Sequence, residues 1–178
     1  TLSYGWGYSA AGYKTKLTWP DGTEIGYGYS DHGELQTVTI PGEGTISVNQ
    51  YRWTAPARTT LPGGSVQERS FDGVLNLEGL KAKTPTQQQT LELTNRYGNL
   101  LELKSAKRTD TVASVSSLYD RDFEYDEEIR LTQAKTSRGG ATDTRIYTLD
   151  ALGNRTADSA QPGVWDFDAN NRLKSRGT

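Results

Sequence analysis

One short phrase recurs along this chain and limits what it can fold into: an aromatic residue, any residue, an aromatic or Leu, then often Asp, then Gly or Asn near a basic residue and Leu. Trp6 Gly7 Tyr8 Ser9 Ala10 Ala11 Gly12 parallels Tyr27 Gly28 Tyr29 Ser30 Asp31 His32 Gly33. Phe123 Glu124 Tyr125 Asp126 leads to Arg130 Leu131, Tyr147 Thr148 Leu149 Asp150 to Gly153 Asn154 Arg155, and Trp165 Asp166 Phe167 Asp168 to Asn171 Arg172 Leu173. Fainter copies pass through Tyr51 and Trp53, Phe71 and Asp72, and Thr94 and Asn95, so that copies start near residues 6, 27, 51, 69, 92, 123, 147 and 165. Aligned on the second apolar position (Tyr8, Tyr29, Trp53, Phe71, Thr94, Tyr125, Leu149, Phe167), they are spaced by 21, 24, 18, 23, 31, 24 and 18 residues. Two strands of about 6–7 residues and two tight turns consume such an interval, whereas a helical repeat needs about 34 residues or more. The expected fold is all-β: tandem antiparallel hairpins over residues 1–178, adding to one continuous curled sheet strip.

Alternation at period two supports strands. Thr23, Ile25, Tyr27 and Tyr29 share one face, as do Arg145, Tyr147 and Leu149. Ile46 and Val48 fall on even numbers and Tyr51 and Trp53 on odd ones, so a shared face requires a bulge around Asn49 and Gln50. Asp126, Asp150 and Asp168 suit turns because Asp bonds its own backbone; Gly12, Gly33, Gly153, Asn154 and Asn171 occupy the repeat's other turn positions. Lys81 to Gln89 reads as a polar connection, and Tyr119 to Lys135, the one stretch with helical composition, reads as strand because the phrase runs through it. Hydrophobic residues make up only 33%, with 10 Tyr, 4 Trp and 3 Phe, which predicts a thin aromatic core.

Several functions are disfavoured. A net charge of −2 provides no basic field for nucleic acid, no apolar run approaches a membrane span, and with no Cys there are no disulfides or thiolate metal sites. The absence of any Met points to an excised piece of a longer chain. Asp122, Glu124 and Asp126 would share a strand face and could invite Ca²⁺, but the glycine and spacing of a calcium loop are missing. His32, the sole histidine, lies in a turn phrase; Gly26, Gly28 and Gly33 lie in aromatic strands rather than opening a helix; the sequon at Asn154 coincides with a turn. No catalytic centre, cofactor or metal site is expected.

The phrase from Tyr147 to Thr156, with the run Asp168 to Leu173, resembles the YD repeat of Rhs proteins, and the resemblance covers nearly the whole chain. It implies a sheet strip coiled into a hollow shell that, in bacterial members, encloses a variable C-terminal toxin. Related repeats occur in insecticidal toxin complexes and in animal teneurins. It further implies a secreted or cell-surface bacterial protein whose partners are the remainder of its own chain and the enclosed toxin. The family's self-cleaving Asp-Pro and Gly-Leu segment is not present here, so the chain would be a piece of wall.

In this reading Trp6, Tyr8, Tyr27, Tyr29, Tyr51, Trp53, Phe71, Phe123, Tyr125, Tyr147, Trp165 and Phe167 are structural aromatics of the repeat. Cut sheet edges predict self-association. The competing function is carbohydrate binding or adhesion, with exposed rings stacking on sugars. Burial separates the two: an open stripe of three or more among Tyr8, Tyr29, Trp53, Tyr125 and Trp165 favours the glycan.

Overall fold

The computed structural model describes residues 2–176, and the chain divides into two units, Thr1–Glu92 and Leu93–Thr178. The first holds β1 (Gly5–Tyr8), β2 (Lys14–Thr18), β3 (Glu24–Tyr29), β4 (Leu35–Ile40), β5 (Gly44–Arg52), β6 (Ala55–Thr60), β7 (Val66–Phe71), β8 (Leu77–Lys83) and the start of β9 (Gln89–Tyr97). The second continues with β10 (Leu103–Val112), β11 (Val115–Tyr125), β12 (Leu131–Arg138), β13 (Ala141–Leu149), β14 (Arg155–Asp158), β15 (Trp165–Phe167) and β16 (Leu173–Arg176). The only helical element among the described residues is the 3₁₀ turn Pro62–Gly64.

Strands β1 to β14 form one 14-stranded antiparallel sheet in sequence order, with β1 and β14 as its ends. The eighth copy departs from the expected single strip: β15 and β16 make their own two-stranded sheet. The expected bulge is present, since the β5–β6 register breaks on both sides of Gln50, leaving Asn49 and Gln50 exposed and Ile46, Val48 and Tyr51 half-buried. Trp53 does not join that face. Arg52 pairs with Ala55, so Trp53 sits at the hairpin tip with φ 56°.

A sheet normally covers one face with a second layer. Within each unit the strands pack on their sequence neighbours, and the one apolar residue fully buried among those described is Val66 (4% exposed). The strands are therefore held by backbone pairing and half-covered rings more than by a core. Val66→Ala should cost about 2 kcal/mol in urea denaturation, because it opens the one dry apolar site. Val115→Ala, at an exposed position, should cost under about 0.5 kcal/mol. Equal losses would contradict this distribution of packing.

Candidate functional site

The repeated chemistry lies in the turns. In ten of them the first residue's amide donates to the carbonyl of the fifth, and the fourth residue's amide donates back to the carbonyl of the first. The first residues are Ser9, Trp19, Ser30, Leu61, Asp72, Thr84, Gly98, Asp126, Asp150 and Asp168. The fourth residue has positive φ every time: Gly12, Gly22, Gly33, Gly64, Leu75, Gln87, Leu101, Ile129, Gly153 and Asn171. This is the three-residue hairpin loop closed by a left-handed bulge residue. The bulge shifts the register at the ring just before the turn, and places Tyr29 opposite Leu35, Phe71 opposite Leu77, Tyr125 opposite Leu131 and Phe167 opposite Leu173. In these four copies the Leu after the turn is thus the cross-strand partner of the second ring, whereas Leu149 faces Arg155.

Asp at the first position adds a side-chain clamp. Asp72, Asp126, Asp150 and Asp168 each accept through Oδ1 from the backbone amides of their third and fifth turn residues. Oδ2 accepts from the fifth side chain: Asn76 Nδ2, Arg130 Nε, Asn154 Nδ2 and Arg172 Nε, at 2.6–2.9 Å. The Asp-to-Asn/Arg spacing in the phrase is therefore a hydrogen-bond requirement. At Asp72 and Asp126 partial loss of water opposes ionisation, and the donors of Asn76 and Arg130 outweigh it. At Asp150 the Asn154 side chain acts first, and at Asp168 the Arg172 amide. All four carboxyls are held below the ordinary 3.8.

A depressed native pKa stabilises the fold above the unfolded value, and that contribution is lost as the pH falls through the native value. Melting temperature should therefore fall as the pH drops from about 5 to 3, with a shallower slope in the double variant Asp150→Asn, Asp168→Asn. A melting temperature constant over that window by circular dichroism would contradict the clamp.

Successive turns also touch. Tyr13, the fifth residue of its turn, lies against the bulge residue Gly33 of the hairpin that follows, where an added methyl would run into its ring. Arg130 donates to the Asp150 carbonyl at 3.0 Å and lies beside Gly153, and Asn154 donates to Asn171 Oδ1 at 3.2 Å. Tyr hydroxyls tie adjacent strands as well, with Tyr51 donating to the Leu35 carbonyl and Tyr125 to that of Leu103.

The predicted aromatics divide by position. Tyr27, Tyr29, Tyr51, Phe71, Phe123, Tyr125, Tyr147, Trp165 and Phe167 are half-buried. Trp6 (57%) and Tyr8 (64%) stand open on β1, and Trp53 (70%) at its tip. In the fifth copy the ring before the turn is Tyr97, because the turn begins at Gly98; Thr94 lies inside β9. His32 is an exposed third turn residue whose amide donates to Ser30 Oγ. Asp126 is committed to its own turn, while Asp122 and Glu124 are exposed on β11. Open hollows lie between strands, one beside Asp120 and Arg138 and one beside Arg58, Glu68 and Arg69. Sequence reasoning missed Asp158, whose side chain is fully enclosed and held by Arg145 at 2.8 and 2.6 Å. No repeat phrase marks it.

Hairpins of this build, added one after another and repeatedly closed by the same bulge turn, define a tandem-hairpin antiparallel β-sheet. Among solved structures the chain is similar to the Photorhabdus luminescens Tc holotoxin pore with a TccC3 mutation, at 15% identity and TM-score 0.54, covering 96% of this chain and 12% of that one. It is similar also to TcdB2-TccC3-TEV (14%, TM-score 0.54) and to TcdB2-TccC3 without its hypervariable C-terminal region (14%, TM-score 0.55), in each case over 97% of this chain and 12% of the other. The likeness is one of fold, and the chain spans about an eighth of those proteins' length. No family model and no curated protein matches the sequence. No helix among the described residues is long and apolar enough to cross a membrane.

Proposed function

We propose that the chain is a non-catalytic stretch of wall in a larger secreted bacterial toxin protein, one of several turns of sheet that enclose a C-terminal toxin segment. The observation that carries this is the sheet without a core: among the described residues Val66 is the one apolar residue that is fully buried. A wall acquires its covering from neighbouring turns of sheet and from cargo, so it needs no core of its own. The fold likeness to Tc-toxin proteins supports the same reading. Its partners would be the rest of its own polypeptide and the enclosed segment, and its role would need no cofactor, metal or catalytic residue.

Glycan adhesion is less well supported. Of Tyr8, Tyr29, Trp53, Tyr125 and Trp165, only Tyr8 and Trp53 are open, and Trp53 stands at a hairpin tip rather than in a row with Tyr8. Sequencing the gene on both sides tests the wall reading. Further YD repeats on each side, followed by a cleavage segment and a short unrelated tail, are expected; stop codons at both ends would overturn it.

A further inference from the structure

Three junctions between successive hairpins carry the same chemical contact, a cation on the second strand of one set over a ring of the next. Lys14 Nζ lies 5.0 Å from the centre of the Tyr27 ring, beside Tyr13, which stacks on Tyr29 at 5.0 Å and 22°. Lys104 Nζ lies 5.4 Å from the Tyr125 ring, and the Arg155 guanidinium 5.9 Å from the Trp165 ring. In each case the cation stands one or two residues beyond the turn, on the strand that leads away from it. A cation over an aromatic face is attracted by the ring quadrupole, and its aliphatic stem covers the ring edge.

Among the described residues, the Trp6 and Tyr8 pair has no such cover and stands open. Trp6 Gly7 Tyr8 repeats Tyr27 Gly28 Tyr29 in sequence and in register shift, since Tyr8 meets Lys14 across a bulge as Tyr29 meets Leu35. Yet Trp6 and Tyr8 are exposed where Tyr27 and Tyr29 are half-buried, and β1 is the end strand of the sheet. The intervening Gly5 and Gly7 leave the other side of the strand without side chains.

We propose that the β1 edge is a docking site for the second strand of another YD-type hairpin, one that carries a planar side chain at the fifth turn position and Lys or Arg immediately after it. Such a strand would repeat on Trp6 and Tyr8 what Tyr13 and Lys14 do on Tyr27 and Tyr29. A strand with an acid at the cation's place would be discriminated against. The proposal rests on the wall reading, and it adds what the wall's next strand must look like.

The test duplicates residues 5–22 directly ahead of Leu2 in the 178-residue chain, the frame in which Leu2 takes the place of Thr23. A second version carries Tyr13→Ser and Lys14→Glu in the added copy alone. Hydrogen exchange is followed at the β1 amides that face away from β2, and N-bromosuccinimide oxidation at Trp6. The unaltered copy should slow both by at least about tenfold, and the altered copy should return at least about threefold of that gain. Equal protection by both copies would overturn the cation–ring joint while leaving a continuing sheet intact. Protection by neither would overturn the docking site, and the flanking gene sequence would still decide the wall reading independently.

Discussion

Asp158→Ala should lower the melting temperature of the chain by about 5–10 °C, more than any other single carboxylate replacement. The Asp158 side chain is fully enclosed, although the sheet around it has scarcely any core. Its Oδ1 accepts from Arg145 Nε at 2.8 Å and from the Ala160 amide at 3.0 Å, while Oδ2 accepts from Arg145 Nη2 at 2.6 Å and lies 3.5 Å from Arg155. Arg145 acts first in holding the carboxyl below its ordinary range; loss of water opposes it. Removing the carboxylate leaves a half-buried guanidinium and a backbone amide without partners at the end of the β13–β14 hairpin, where that strand pair gives way to the β15–β16 sheet. Asp158→Asn keeps one acceptor but loses the charge, so it should fall by about half as much. Melting followed by circular dichroism checks both; an alanine variant within about 2 °C of the parent would show that the ion pair is incidental.

The second large effect is association. Leu2, Tyr4, Trp6 and Tyr8 are all exposed on or beside the end strand β1, where backbone donors and acceptors also await a partner. Natural edges are protected by charge, bulges or covering segments. Among the described residues of this edge the one such protection is the bulge at Tyr8. The weight-average mass of the purified chain in sedimentation should therefore rise at least about twofold between roughly 1 and 100 µM, and Trp6→Lys should restore most of the monomer by placing a charge on the edge. A constant 19.6 kDa at all concentrations would contradict an unsatisfied edge.

Much of this architecture was legible in the order of residues. The ring, spacer, ring and Asp phrase marks the hairpins because alternation and turn chemistry are local, and the parity change between Val48 and Tyr51 marks a bulge. The turn geometry itself was only half legible. Where the fourth turn residue is Gly its freedom at positive φ is visible, but Leu75, Gln87, Leu101 and Ile129 adopt the same conformation without any such signal. Their left-handed backbone costs about 1–2 kcal/mol each and is imposed by the two backbone hydrogen bonds that close the loop.

The same blindness misplaced the fifth copy. Gly98 supplies no side-chain clamp, so Thr94 and Asn95 looked like the worn phrase when Tyr97 in fact holds the ring position. Trp53 was misread for a related reason: the β5–β6 hairpin closes with only Trp53 and Thr54 in its loop, so a ring predicted for the strand stands at the tip. Asp158 escaped notice because its importance depends on Arg145, on the strand opposite, and no local pattern announces a cross-strand ion pair.

Protease protection of the intact parent polypeptide tests the proposed containment most directly. With the sheet whole, a segment cleaved within minutes as a free peptide should survive while attached and enclosed, and should become sensitive once the sheet is opened by acid below about pH 3. Cleavage of the attached segment as fast as the free peptide, with the strands still folded, would contradict it.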